Sequence, residues 1–190
     1  MSGVPTFEWS IEDVIAAHPD LFLDHCAAMA VALLGKLSAP PCEFFVECDG
    51  FQPADLDGRT SFVLRVGWAD PTAQRARRVR LTEQAGPIVE RAAVALAALC
   101  FAHLIPDSQM RVTRHGERAD YWLPKLNRAV EISGTEQVRE VAGRVREKAA
   151  QVLDNPLQWD GYAFVCCFGE SHRLIRWSFH TQRERADESP

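Results

Sequence analysis

The stretch RADYWLPKLNRAVEISGTE, Arg118–Glu136, decides the fold, because it predicts two strands joined by the short loop PKLN. If PKLN is a four-residue hairpin loop, Tyr121 faces Val130 and Asp120 faces Glu131. Directly opposed side chains of an antiparallel pair have Cβ atoms roughly 5 Å apart, and like charges there destabilise the pair. A register slip of one residue would move Glu131 to the other face of the sheet. The hairpin therefore raises the question of what neutralises two facing carboxylates.

The segments after about Thr82 predict the order helix, three strands, helix and two strands. Pro87 suits the first turn of a helix, and the apolar run IVERAAVALAALCFAHLI that follows predicts a buried helix. Apolar residues three and four positions apart predict an amphipathic helix after the hairpin: Val138, Val141, Val145, Ala149 and Val152. The first three strands have loops too short for crossovers and should form an antiparallel meander, whereas the second helix can carry a crossover. We therefore expect an α/β or α+β fold with one mixed sheet flanked by helices.

The N-terminal part of the chain predicts an added subdomain. A helix interrupted near Pro19 is followed by two strand-like stretches, CEFFVECDG and RTSFVLRVGW. The expected division is residues 1–80 for this helix and strand hairpin, 81–180 for the core, and 181–190 for a disordered tail. The Ala/Leu/Met-rich helix offers a surface for a homodimer or for a protein partner.

Composition limits the functional classes. The chain has 190 residues and a formal net charge of −5, so it lacks the broad basic surface of a nucleic-acid-binding protein, although QRARRVR is a local basic run. Its six cysteines form no CxxC pair, which predicts free thiols in a reducing compartment. No signal peptide is visible, and no apolar run approaches the roughly 20 residues that span a bilayer. We expect a soluble cytoplasmic protein with no membrane contact.

The facing carboxylates Asp120 and Glu131 are candidate ligands for a divalent cation. Mg²⁺ takes oxygen ligands, and often only one or two protein carboxylates, with water and substrate phosphate completing the shell. The alternative is a solvated sheet face on which each carboxylate pairs with a basic side chain, for which Arg118 and Arg128 are near in sequence. The apolar strand around Glu131 and the turn expected at Gly134 favour the cation site.

Three further side chains complete the candidate site. Lys148 is predicted on the flank of the second helix's apolar stripe, where it would either extend to water or meet a carboxylate and hold a substrate phosphate or attacking water. Glu90, in the first turn of the buried helix, would reach the metal or simply stabilise that helix terminus. Ser133 shares a strand face with Glu131.

These residues and their order resemble the core of the restriction-endonuclease-like PD-(D/E)xK superfamily, over about Pro87 to His180. The resemblance lies in a helix with Glu90, a strand, a strand with Asp120, a strand with Glu131-Ile132-Ser133, a helix and a strand. It implies that the two strand acids bind Mg²⁺ or Mn²⁺, that the helix glutamate assists as a metal ligand, and that a lysine helps to activate water.

The chain departs from the superfamily motif at two positions. Ala119 stands where the motif has proline, and Ser133 stands where it has lysine. In some members the lysine has moved to the following helix, which is where Lys148 is expected. The wider pattern also resembles bacterial proteins and implies no function of its own.

The resemblance predicts a metal-dependent phosphodiesterase, a nuclease acting on DNA or RNA in defence or in nucleic-acid processing. The alternative is an inactive module of the same fold that serves as a protein-interaction or nucleic-acid-binding subunit, and Ser133 favours it.

Overall fold

The computed structural model describes residues 3–113, 119–170 and 172–182, which form one eight-stranded mixed sheet with helices packed on it. The elements are β1 (Thr6–Ser10), α1 (Asp13–Ala17), α2 (Leu23–Leu37), β2 (Cys42–Asp49), β3 (Ser61–Gly67), α3 (Asp70–Thr82), α4 (Ala85–Leu104), β4 (Arg111–Val112), β5 (Tyr121–Leu123), β6 (Arg128–Thr135), α5 (Val138–Leu153), β7 (Gly161–Phe168) and β8 (Arg173–His180). The strand order is β1-β3-β2-β8-β7-β6-β5-β4. The predicted α/β class with one mixed sheet is confirmed.

The hairpin has the predicted register. Tyr121 pairs with Val130, and Leu123 pairs with Arg128, so PKLN is the loop between β5 and β6. Asn127 closes that loop with φ of 50°, in the left-handed region that asparagine tolerates. β5 is only three residues long, so Asp120 lies just before the strand, and the pairing of β5 with β6 reaches Val130.

The meander and the crossover are also as predicted. β4, β5 and β6 pair antiparallel, and α5 carries the chain to β7, which pairs parallel with β6. β7 and β8 then form an antiparallel pair. The sheet around β6 is thus flanked by α4 on one face and α5 on the other, as the two core clusters show.

The N-terminal residues extend this same sheet. β2 and β3 form the predicted hairpin, and β2 pairs parallel with β8, so residues 1–80 and 81–180 share one continuous sheet. The break near Pro19 is present, since α1 ends at Ala17 and α2 begins at Leu23. β1 is a strand that the sequence did not predict, because it is short and its partner β3 lies more than fifty residues along the chain.

The centre of the fold is α4, which is buried between α2 and the sheet. Its 20 residues are apolar enough to cross a bilayer, so the expectation that no run approaches that length was wrong. About two-thirds (67%) of this apolar stretch is nevertheless buried inside the fold, as in the core helix of a soluble protein. Cytoplasmic localisation stays a prediction.

β7 explains why the core has two parts. All eight of its residues are buried. Phe164 and Cys166 face the cluster that contains α4, whereas Val165 and Cys167 face Val141 of α5. A strand buried on both faces is expected to be a continuous apolar run, which is what GYAFVCCF is.

All six cysteines are free thiols, as predicted. Burial raises the pKa of Cys48 to about 12 and raises the pKa of the Cys100 and Cys166 thiols as well. These three side chains therefore behave as small apolar core residues rather than as nucleophiles.

Candidate active site

A cavity of about 430 Å³ lies beside β6, next to the start of the short strand β5, and both flanking helices reach it. It is lined by residues of four elements and by one residue just before β5: Glu90, Arg91 and Val94 of α4, Asp120 just before β5, Tyr121 of β5, Ile132 and Ser133 of β6, and Arg144, Glu147 and Lys148 of α5. Four of the five candidate residues from the sequence line it, and the fifth, Glu131, lies buried beside them.

Asp120, Glu131 and Lys148 converge. The Lys148 Nζ donates hydrogen bonds to Asp120 Oδ2 at 3.1 Å, to Glu131 Oε2 at 2.9 Å and to Gln151 Oε1 at 2.8 Å. The Ile132 N–H also donates to Asp120 Oδ2, at 3.2 Å. The two carboxylates therefore face one another as the register predicted, and an ammonium lies within reach of both.

Of the two alternative partners expected from the sequence, Arg128 pairs with Asp160 instead, at 2.9 Å. Arg118 lies outside the described residues. The Lys148 side chain is 14% exposed, so it meets the carboxylates rather than extending to water.

The electrostatics of Glu131 are unusual for a carboxylate in a sheet. Its side chain is 2% exposed, and burial raises its pKa to about 7, with the charge of Asp120 adding to the rise and Lys148 opposing it. The two carboxylates raise the pKa of Lys148 against the effect of its own burial, so its ammonium is charged at neutral pH. Carboxyl groups that titrate near neutrality beside a cavity are frequent in functional sites.

Glu90 belongs to a second, adjoining cluster. Its Oε2 accepts from the Gly134 N–H at 2.9 Å, and its Oε1 accepts from the Ser133 hydroxyl at 3.4 Å. Arg144 Nη1 donates to Glu90 Oε1 at 3.2 Å and to Ser133 Oγ at 2.8 Å. The structure therefore places Glu90 against the end of β6 and an arginine, and not in the group that surrounds Lys148.

The contact between α4 and β6 sets the position of Glu90. A Cβ on Gly134 would lie 2.3 Å from the Val89 carbonyl oxygen, so only glycine allows the helix backbone to come this close to the strand. This close approach brings Glu90 within hydrogen-bonding distance of the Gly134 N–H.

Arg144 is a site residue that the sequence analysis missed. It lies four residues before Lys148 on α5, and residues at that spacing share a helix face. That spacing was the sequence signal that could have identified Arg144. The two positively charged side chains line one cavity, and Glu140 forms an ion pair with Arg144 at 3.2 Å.

The donor set of the first cluster fits a small divalent cation. Asp120 and Glu131 supply two convergent carboxylates, which is the usual protein contribution to a Mg²⁺ site that keeps water or phosphate oxygens. Burial and the charge of Asp120 raise the pKa of Glu131 by more than Lys148 lowers it, so further positive charge beside the two carboxylates would be favourable. Within residues 3–113, 119–170 and 172–182, no group of three or more His, Cys, Asp or Glu side chains is arranged to hold a metal ion.

No family model, no curated protein and no solved structure matches this chain.

Proposed function

We propose that the chain is a metal-dependent phosphodiesterase, a nuclease that acts on DNA or RNA. The observation that carries the proposal is the convergence of Asp120 just before β5, Glu131 of β6 and Lys148 of α5 beside one cavity. Removing such charges from water costs free energy that a purely structural site avoids by using apolar residues. The predicted order of helices and strands around the site supports the same assignment.

Asp120 and Glu131 would hold Mg²⁺ or Mn²⁺. A bound divalent cation lowers the pKa of water and neutralises negative charge on a phosphoryl oxygen. Glu131 must be ionised to bind a cation, so binding below about pH 7 releases its proton. Lys148 already lies between the two carboxylates, from where its Nζ can donate to an oxygen of the scissile phosphate or orient the attacking water.

The second cluster would position the substrate. Arg144 is 34% exposed in the cavity wall, and its guanidinium can donate a further hydrogen bond to a phosphate oxygen. Ser133, which replaces the motif lysine, anchors Arg144 through its hydroxyl. Glu90 holds the same guanidinium from the α4 side and so acts as a positioning residue.

One observation favours the alternative of an inactive binding module. Lys148 Nζ has three hydrogen-bond acceptors around it, including Gln151, so all three of its protons are engaged within the protein. A lysine that stays engaged in this way would leave a site that binds phosphate without cleaving it.

Cleavage assays separate the two functions. We expect Mg²⁺- or Mn²⁺-dependent cleavage of plasmid or single-stranded substrates by the wild type, and loss of cleavage in Asp120→Ala and Lys148→Met. Glu43→Gln, which removes a carboxylate from the surface ion pair with Arg65, is the matched control and should retain activity. Equal activity of Asp120→Ala and wild type would refute the nuclease. Nucleic-acid binding without cleavage would support the binding module.

A further inference from the structure

A second cavity lies outside residues 81–180, between α2 and α3. It has a volume of about 450 Å³, and its basic wall is formed by Lys36, Arg77 and Arg80. Ala73, Ala76, Arg77 and Arg80 fall on one face of α3, where the two alanines leave the space open and the two arginines border it. None of the described residues that line this cavity is acidic.

The three basic side chains have no carboxylate partner among the residues that the structure describes. In the described part of the chain, none of Lys36, Arg77 and Arg80 forms an ion pair. The chain as a whole is acidic, with a net charge of −5, so this local excess of positive charge is not a consequence of composition. An anion in the cavity would relieve the repulsion among the three side chains.

Arg80 is held in place before any ligand arrives. Its Nε donates to the Ala32 carbonyl at 2.9 Å and its Nη2 donates to the Val31 carbonyl at 3.5 Å, both in the second half of α2. Gly35 makes room for it, because a Cβ there would lie 2.7 Å from Arg80 Nη2. A guanidinium fixed on one side can present its remaining N–H groups to a phosphate at little further entropic cost.

Trp68 adds an aromatic surface to the same cavity. It follows β3 directly and is half-buried, so one part of the indole is available to a ligand. Phosphate-binding cations next to an exposed aromatic ring are the combination that binds single-stranded nucleic acid, by backbone contact and base stacking.

The register of the sheet sets the distance between this cavity and the candidate active site. β3 and β6 run in the same direction, because the pairs between them through β2, β8 and β7 alternate antiparallel, parallel, antiparallel and parallel. These pairings put Val63 of β3 level with Thr135 of β6, so Trp68 lies five residues beyond that level and Glu131 lies four residues before it. Four inter-strand steps of about 4.8 Å and nine residues of about 3.3 Å separate Trp68 from Glu131, which is roughly 35 Å. At 3.4 Å per nucleotide, a stacked strand of about ten nucleotides would reach both.

We propose that this α2–α3 cavity binds a phosphodiester of the nucleic-acid strand whose cleavage site lies at Asp120 and Glu131. This inference rests on the proposed function for the choice of ligand, whereas the phosphate-ester chemistry follows from the cavity itself. A free mononucleotide carries the same chemistry, so the test has to separate the two sources.

The experiment measures binding without catalysis. Fluorescence anisotropy of labelled single-stranded oligonucleotides of 8, 16 and 24 nucleotides is recorded in EDTA at several salt concentrations, because about ten nucleotides are needed to reach both sites. Arg77→Gln is compared with Arg78→Gln, since both remove one charge from adjacent positions of α3 and only Arg77 lines the cavity. We expect Arg77→Gln to weaken binding of the longer oligonucleotides roughly tenfold and to lower the salt slope by about 0.7, while Arg78→Gln stays close to wild type.

Three results would overturn the inference. These are no binding of any oligonucleotide by the wild type, equal affinities of Arg77→Gln and Arg78→Gln, or equal competition by a mononucleotide and by the 16-mer. Cleavage by the wild type and Asp120→Ala is measured in parallel with Mg²⁺. If cleavage is absent but Arg77→Gln still weakens binding selectively, the proposed nuclease fails and the cavity's role in strand binding stands.

Discussion

Replacing Glu131 by glutamine should stabilise the protein at pH 8 and change its stability little at pH 5. Burial and the neighbouring charge of Asp120 raise the pKa of Glu131 from 4.5 to about 7, in spite of Lys148. A group whose pKa is higher in the folded than in the unfolded state contributes its full stability below the unfolded value, and that stability is lost as the pH rises through the folded value. Glutamine keeps the shape and a carbonyl acceptor for Lys148 but does not ionise.

The magnitude follows from the two pKa values. A difference of one in pKa corresponds to about 1.4 kcal/mol, so the rise to about 7 destabilises the wild type by about 3 kcal/mol at pH 8 and by under about 1 kcal/mol at pH 5. For a chain of 190 residues, 1 kcal/mol shifts Tm by about 2 to 4 °C. The expected gain of Glu131→Gln at pH 8 is therefore roughly 6 to 12 °C.

The assay is thermal and urea unfolding of both proteins at pH 5, 6.5 and 8 in EDTA, followed by circular dichroism. Glu140→Gln is the control of opposite sign, because hydrogen bonds from Thr135 and Arg144 lower the pKa of that exposed carboxyl. The control should lose stability at pH 8. A Glu131→Gln protein that is less stable than wild type at pH 8, or that shifts equally at pH 5 and pH 8, would refute the reasoning.

Three other changes test the packing and charge of the fold. Gly134→Ala forces a Cβ against the Val89 carbonyl oxygen and should lower the free energy of unfolding by about 2 kcal/mol or more in urea titrations. Gly143→Ala is the control and should be neutral or stabilising, because no atom lies within 4 Å of the added Cβ. Equal effects of the two substitutions would contradict the close approach at Gly134. Lys148→Met leaves two facing carboxylates without their cation and should lower the free energy of unfolding by about 3 kcal/mol at pH 8 and by much less at pH 5. A loss of stability that does not depend on pH would contradict the ion-pair account. His18 is buried, and its neutral ring donates one hydrogen bond and accepts another. Burial lowers its pKa, so its contribution to stability is full above about pH 6.5 and is lost as the pH falls. His18→Gln should therefore reduce the loss of stability between pH 7 and pH 5, and an unchanged dependence of stability on pH would argue against this account.

The hairpin register could be predicted from the sequence because two local rules act together. The four residues of PKLN set which positions face one another, and the period of two along a strand assigns Glu131 and Ser133 to one face. The helical spacing of three and four likewise placed Lys148 beside the sheet. These rules need only neighbouring residues, so a single chain is enough to apply them.

The partners of Glu90 could not be predicted in the same way. Its carboxylate binds Gly134, Ser133 and Arg144, all of which are more than forty residues away along the chain. Which turn of α4 meets β6 depends on the close approach at Gly134, and no local pattern encodes that contact. The same limit explains why β1 was not predicted, since its hydrogen bonds go to β3.

The amino-acid sequence by itself determined the order of the core elements, the register that sets Asp120 opposite Glu131, and the candidate lysine on α5. Only the tertiary structure decided that Lys148 lies between the two carboxylates, that Arg144 and Glu90 form a separate cluster, and that the N-terminal strands join the same sheet. The physical reason is how far apart along the chain the interacting residues lie. Periodicity and loop length act between residues close in sequence, whereas burial, ion pairing and helix-to-strand packing depend on which distant surfaces come into contact when the chain folds.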